Sequence, residues 1–203
     1  SMSALQQATS RIASIASTEG CPDTAAFLDV CRLVLAVVEK LGNAFFPVRA
    51  DISGNIQRLE TRAQTDSARY VHLFDMVHDE VAAGKSGESS SCTKGLLWLK
   101  RAMEFVLAIV RSTQEHPNKS LGEVVSTTYK ATLMQFHGYI SSTAFTLAFN
   151  FVPTREYFVD SIGSGSAEET SKQMLEFVAA FAPVLQEVHQ FLVKHGLDDP
   201  TKV

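Results

Sequence analysis

Hydrophobic residues recur at three- and four-residue steps along most of the chain, a spacing that predicts α-helices with one buried face. The clearest helix begins after Pro22, where Asp23 or Thr24 can cap it, and ends before Gly42. Its buried face is formed by Phe27, Cys31, Val34, Leu35, Val38 and Leu41. No segment alternates apolar and polar residues with the two-residue period of a strand. The pattern therefore predicts an all-α fold.

The same periodicity and the boundary residues predict the other helices. They are expected at residues 45–62, 67–81, 93–112, 120–149, from 153 onward, and 167–195. Ser120–Glu123 and Ser166–Glu169 have the spacing of capping boxes, and Gly196 is a typical helix stop. We expect the fifth helix to kink at Gly138, and Pro183 to end or kink the last one. The result is about eight helices.

Length and composition indicate one globular domain. The 203 residues are expected to form a single domain over 1–203, and Ser1 before Met2 is expected to be a cloning remnant. A hydrophobic content of 45% excludes a disordered chain. The net charge of -4, with no dense stripe of Lys and Arg, argues against a nucleic-acid partner. The longest apolar runs, 33–38 and 105–110, are far short of the ~20 residues that a membrane span requires.

The three cysteines, Cys21, Cys31 and Cys92, suit neither a disulfide framework nor a zinc site, because their number is odd and no C-x-x-C spacing occurs. We expect thiols in a reducing cytosol and no metal. Gly84-Lys85-Ser86 lacks the glycine that a P-loop needs at position 79. Since no nucleophile–base pair is found either, an enzyme is the least favoured class and no cofactor is expected.

One polar stripe carries candidate chemistry. Asp51, Asn55 and Arg58 are spaced i, i+4 and i+7, so they share one stripe of the second predicted helix. Spacing alone favours a solvated face on which Asp51 and Arg58 support Asn55. The other hypothesis is a set of hydrogen-bond donors and acceptors that faces a polyhydroxylated ligand.

Two ring side chains lie in apolar helical stretches. Trp98, the only tryptophan, is either a core aromatic or a stacking platform for a sugar ring or a cation. His137 follows Phe136 in a stretch where a lone histidine is usually a hydrogen-bonded core residue. Neither residue alone distinguishes these alternatives.

Three segments together resemble the glycolipid transfer protein family, most closely its plant-type members. They are Val48–Glu60, which contains the polar stripe, Gly95–Met103, which contains Trp98, and Phe136–Tyr139. Each motif is weak alone, but their order and their gaps of roughly 40 residues are specific within an all-helical chain. The resemblance covers essentially the whole chain and implies a two-layer all-α fold.

The resemblance also implies residue roles for one bound sphingolipid. Asp51 would bond the sugar hydroxyls and the ceramide amide N–H, while Asn55 and Arg58 would bond the sugar. Trp98 would stack under the first sugar ring. His137 would donate to the ceramide amide carbonyl.

Membrane and pocket residues follow from the same resemblance. Tyr139 and Ile140 would touch the membrane beside the portal. The hydrocarbon chains would enter a collapsible apolar pocket, and the phenylalanines expected near it are Phe105, Phe145, Phe149, Phe151 and Phe181.

The function that the resemblance implies is non-enzymatic transfer of a glycosphingolipid, of the glucosyl- or galactosylceramide type, between membranes. We expect a cytoplasmic monomer that visits membrane surfaces. A ceramide-1-phosphate carrier is one alternative. That branch has cations at the positions of Trp98 and Asn55, so a neutral sugar is favoured here, although Arg58, Lys100 and Arg101 leave positive charge nearby. A sphingolipid sensor or scaffold that acts through a protein partner is the other alternative.

Overall fold

The computed structural model describes residues 1–16 and 20–203, and within these ranges the chain is all helical, as the sequence predicts. The α-helices of the described ranges are α1 (Ala4–Ile12), α2 (Thr24–Glu39), α3 (Phe46–Thr65), α4 (Leu73–Ala82), α5 (Cys92–Glu115), α6 (Leu121–Thr132), α7 (Tyr139–Ala148), α8 (Arg155–Ile162) and α9 (Ala167–Lys194). Short 3-10 turns precede α3 and α4 and follow α6 and α7.

Several predicted helix boundaries are confirmed. Asp23 caps α2 by accepting a hydrogen bond from the Ala26 N–H at 2.8 Å. Both predicted capping boxes form, at Ser120 for α6 and at Ser166 for α9. Gly196 follows α9 with φ +68°, a left-handed conformation that glycine adopts without a Cβ penalty.

Helix α1 is missing from the helices predicted by the apolar pattern. Ser3 and Gln6 form a capping box at its start, and Leu5, Ala8 and Ile12 are its buried residues. It packs against α2 and α9. Its apolar face has only three members in nine residues, so the tertiary contacts decide that this segment is a helix.

The prediction of a single helix over 120–149 is wrong, because this range contains two helices, α6 and α7. After a 3-10 turn, His137 and Gly138 are extended rather than helical. There the Gly138 N–H donates to the Val203 carbonyl at 2.6 Å, and the Val203 N–H donates to the Phe136 carbonyl at 3.0 Å. Backbone partners from a distant segment thus replace the helical hydrogen bonds, which sequence periodicity does not reveal.

One other boundary differs from the prediction, whereas the predicted span of the last helix, 167–195, is confirmed and only the alternative that Pro183 ends it is wrong. Helix α4 starts at Leu73 instead of residue 67, because the Leu73 N–H donates to the Pro22 carbonyl and the Tyr70 carbonyl accepts from the Thr24 hydroxyl. Pro183 does not end α9, which continues to Lys194. A proline removes one helical hydrogen bond, and the extensive packing of α9 on α5 and α1 offsets that loss.

Helix α5 is the centre of the two-layer structure. Helices α2, α3, α4, α6 and α9 all pack against it. Most of its residues are buried, including two charged ones, Lys100 and Arg101. Within the described ranges, none of the helices combines the length and the apolar character that crossing a bilayer requires.

Two of the phenylalanines expected near an apolar pocket have opposite environments. Phe181 on α9 is fully buried, with its ring 5.7 Å from the ring of Phe177. Phe151, in the turn after α7, is 72% exposed. The two residues therefore form a matched pair for testing which of these phenylalanines stabilise the folded protein as part of its packed core.

We expect Phe181→Ala to lower the free energy of unfolding by about 3–5 kcal/mol, because it leaves a cavity in a packed core. The matched change Phe151→Ala should lower it by less than about 0.5 kcal/mol, since an exposed ring loses little packing. Urea denaturation followed by circular dichroism measures both values. Equal losses for the two variants would contradict the placement of Phe181 in the rigid core.

Candidate functional site

A cavity of about 530 Å³ opens between α3, α5 and α7. All five residues that the sequence singled out for polar recognition line it, namely Asp51, Asn55, Arg58, Trp98 and His137. They come from three separate stretches of the chain, and the structure brings them to one place. The remaining wall includes Lys94 and parts of residues 198–203.

The polar stripe of α3 faces the cavity rather than bulk solvent. Asn55 is only 6% exposed, and no side-chain hydrogen bond satisfies its amide within the described residues. Asp51 is exposed at the rim, yet the surrounding wall desolvates its carboxyl and raises its pKa, an effect that nearby Arg58 partly offsets. The stripe thus offers an amide and a carboxylate that are not committed to protein partners.

Arg58 is held in place by α5 and the loop before it. Its Nη1 donates to the Ser89 carbonyl at 3.1 Å and to the Ser91 carbonyl at 3.0 Å. A Cβ at Gly95 would lie 3.0 Å from the Arg58 Cδ, so the glycine leaves room for the arginine stem. The guanidinium is therefore positioned before any ligand arrives, which reduces the entropy that binding has to overcome.

Trp98 projects from α5 beside His137, with the two ring centroids 6.1 Å apart and the ring planes 18° from parallel. The Arg101 guanidinium lies 4.9 Å from the centroid of the Trp98 ring and 3.5 Å from the centroid of the Phe136 ring. These contacts fix the indole while leaving it half-buried at the cavity. A fixed, partly open indole is a suitable surface for stacking a ring.

His137 occupies the break between α6 and α7, and its Nδ1 lies 2.9 Å from the Tyr129 hydroxyl oxygen. Burial lowers the pKa of His137 and raises the pKa of Tyr129, so both groups are neutral near neutral pH. A phenol is a better donor than acceptor, and we therefore expect Tyr129 to donate to Nδ1. The imidazole then carries its proton on Nε2.

The apolar end of the cavity has one of the five expected phenylalanines in its lining. Phe145 lines the cavity, with its ring centroid 4.9 Å from those of both Tyr129 and His137. Phe105 and Phe149 are buried and contact the Tyr129 ring from behind. Phe151 and Phe181 contribute nothing to this lining. Phe105, Tyr129, Phe145 and Phe149 form what we call the ring cluster.

Several lining residues escaped the sequence analysis. Lys94 pairs with the Asp199 carboxylate, and Thr201 and Val203 also line the cavity. Tyr129, which the sequence analysis also missed, does not line the cavity but forms a hydrogen bond with His137. In the sequence, only the acidic pair Asp198 and Asp199 after Gly196 indicates a charged segment near the end of the chain. Nothing in the linear pattern relates Asp199 to Lys94, which lies 105 residues earlier.

An exposed apolar surface borders the opening. Tyr139 and Ile140, at the start of α7, are 85% and 83% exposed. Ser141, the next residue, lines the cavity, as does Pro47, which follows the exposed Phe46 on α3. Large apolar side chains exposed together in this way typically mark a surface that contacts a partner or a membrane.

Comparisons with known proteins agree with this geometry. The family model for glycolipid transfer protein (GLTP) matches residues 22–164. Glycolipid transfer protein 1 of Arabidopsis thaliana is 37% identical over 186 residues, 91% of this chain and 91% of that protein. Glycolipid transfer protein 2 of Arabidopsis thaliana is 32% identical over 172 residues, 84% of this chain and 77% of that protein.

Solved structures share the whole architecture. The GLTP-fold of FAPP2, described as selecting simple glycosphingolipids, matches with a TM-score of 0.88 at 27% identity and covers 95% of both chains. The apo form of mouse ceramide-1-phosphate transfer protein matches with a TM-score of 0.91 and covers 98% of this chain and 99% of that one. Its identity is 20%, so this second likeness shows the fold alone.

The protonation state of His137 can be measured directly. We expect the imidazole nitrogen chemical shifts, recorded at about pH 7.5, to show a protonated Nε2 and an accepting Nδ1. Titration should give a midpoint below the ordinary value of about 6.5, because burial disfavours the imidazolium. Tyr129→Phe should remove the preference for this tautomer. A protonated Nδ1 in the unmodified protein would contradict the assignment.

Proposed function

We propose that this chain, which belongs to the glycolipid transfer protein family, is a carrier that binds one glycosphingolipid and transfers it between membranes. The observation that carries the proposal is a cavity that is lined by Asp51, Asn55, Arg58 and Trp98 and, from the ring cluster, by Phe145. Transfer requires only binding and release, and the proposed carrier performs no chemical step on the lipid.

The two groups that we assign to the ceramide amide have complementary hydrogen-bonding capacity. A ceramide amide in an apolar site would lose hydrogen bonds with water, at about 1–3 kcal/mol for each unpaired group. The Asp51 carboxylate supplies an acceptor for the amide N–H. The Nε2–H of His137 supplies a donor for the amide carbonyl. A lipid without this amide would leave both groups unsatisfied, which favours sphingolipids over glycerolipids.

The sugar would bind at the rim. Asn55 offers both a donor and an acceptor to hydroxyl groups, and Arg58 offers donors. Trp98 would stack against the first sugar ring. Residues 98 and 55 are Trp and Asn, which carry no charge, so this rim suits an uncharged glucosyl- or galactosylceramide headgroup better than a phosphate, which favours Arg and Lys donors.

The hydrocarbon chains need more room than the cavity provides. A volume of about 530 Å³ suits a headgroup and the amide, whereas two long chains require the ring cluster to separate. Helix α7 has no buried residue, so it is the least anchored wall of the site. We propose that α7 moves outward to admit the chains. Burial of each CH₂ contributes about 0.8 kcal/mol, but the bilayer provides the same gain, so selectivity must come from the polar rim.

Membrane contact would occur through Tyr139 and Ile140, together with the exposed Phe46, which precedes the cavity-lining Pro47. Such a surface lets a monomeric protein dock on a bilayer and leave again. The described residues contain no disulfide, which is compatible with the reducing cytosol that we propose as its location.

Loss of the polar rim should stop transfer. We expect Trp98→Ala and Asp51→Asn to reduce transfer of fluorescent glucosylceramide between vesicles by about tenfold to a hundredfold, because each removes a contact worth about 1.5–3 kcal/mol. Asp160→Asn, a matched change on the exposed face of α8, should leave the rate unchanged. An unmodified protein that transfers no glucosylceramide above the rate without protein would disprove the proposed function.

Membrane docking should be separable from lipid binding. We expect the double variant Tyr139→Ser/Ile140→Ser to bind vesicles at least about fivefold more weakly and to transfer lipid correspondingly more slowly, because it removes exposed apolar area. Binding of a short-chain, water-dispersed glucosylceramide, measured by Trp98 fluorescence, should persist. Leu175→Ser/Val193→Ser, a pair on α9 that is similarly apolar and exposed, is the control. Equal effects of the two double variants would contradict this docking surface.

A further inference from the structure

Residues 198–203 form one wall of the headgroup cavity. Asp199, Thr201 and Val203 line it directly. Hydrogen bonds between the Val203 backbone and the backbone of Phe136 and Gly138 fix the end of this wall beside His137. The segment is therefore a built part of the site.

Two carboxylates in this wall are paired with cations of α5. The Asp199 carboxylate binds the Lys94 ammonium, which holds the pKa of Asp199 well below its ordinary value. The Arg101 guanidinium, whose side chain is 2% exposed, donates through Nη2 to Asp198 Oδ1 at 3.0 Å and to the Asp199 carbonyl at 2.8 Å. Arg101 thus anchors the segment, and Asp199 neutralises Lys94, the cation that faces the cavity.

The charges around the cavity balance. Arg58 and Lys94 are cations that line the cavity, and Asp51 and Asp199 are carboxylates that line it. Behind this lining, Arg101 pairs with Asp198. Without the two carboxylates of the 198–203 wall, the Lys94 charge would face a headgroup uncompensated, and the Arg101 charge behind it would lose its pair. Arginine and lysine donors of this kind are what a phosphate group binds.

We propose that Asp198 and Asp199 determine headgroup specificity by neutralising Arg101 and Lys94, so that the site accepts an uncharged sugar and rejects a phosphorylated or sulfated headgroup. A sugar hydroxyl can donate to the Asp199 carboxylate, whereas an anionic headgroup meets its charge and must compete with it for Lys94. This inference rests on the proposed function, because it concerns the selectivity of the same lipid site.

The test compares two lipids in one vesicle assay. Transfer of fluorescent glucosylceramide and of fluorescent ceramide-1-phosphate is measured for the unmodified protein and for Asp198→Asn/Asp199→Asn. We expect the ratio of ceramide-1-phosphate to glucosylceramide transfer to rise by about tenfold. Glu115→Gln/Asp160→Asn makes the same change in net charge outside the cavity lining and should leave the ratio unchanged.

Two further measurements separate specificity from structural damage. Asp199→Asn alone keeps the Arg101–Asp198 pair, and it should shift the ratio in the same direction while leaving the melting temperature close to that of the unmodified protein. Adding Lys94→Gln to the double variant should remove the gained ceramide-1-phosphate transfer. That gain should also decrease as salt rises, since it depends on the partly exposed charge of Lys94.

The outcomes separate the two proposals. An unmodified protein that transfers neither lipid disproves the proposed function and this inference together. If the unmodified protein transfers glucosylceramide and the ratio stays the same in both aspartate variants, the proposed function stands and this inference is wrong. A gain in ceramide-1-phosphate transfer that persists after Lys94→Gln also disproves this inference, because the Lys94 charge would then play no part in the gain.

Discussion

The packing of α3 against α5 is the interaction on which the site depends. Ile52, Ile56 and Leu59 are the buried apolar residues of α3, which packs against α2 and α5. In this packing, the polar stripe of α3 lines the same cavity as Trp98. Gly95 favours the close approach, because a Cβ at this position would lie 3.0 Å from the Arg58 Cδ and would displace the arginine side chain. An apolar seam, favoured by the hydrophobic effect, thus positions polar groups whose own burial is unfavourable.

The rest of the site is completed by segments that have little regular structure of their own. His137 can face the cavity only because the chain leaves the helical conformation there, and the pairing of Val203 with Phe136 and Gly138 stabilises that departure. The same 198–203 wall compensates two cations of the central helix. The segment 198–203 therefore contributes both to the backbone geometry beside the cavity and to the pairing of its charges.

The distribution of apolar residues reflects two different uses. Phe181 and Phe177 on α9 belong to the buried core, whereas Phe145 lines the cavity in front of the other rings of the ring cluster, where we propose that the lipid chains enter. Tyr139 and Ile140 remain exposed beside the opening. The proposed carrier uses all three, since the core would keep the rim in place while α7 moves.

The sequence alone determined the helical class, the start of α2, the capping boxes of α6 and α9, and the five residues of the polar rim, because these depend on local spacing and on recognisable motifs. It did not determine α1 or the division of the helix at His137, and it left open whether Pro183 would end α9. Only the tertiary structure decided these features, since each depends on contacts between residues far apart in the chain. For the same reason, only the fold could place Asp199 against Lys94 and complete the charge balance of the site.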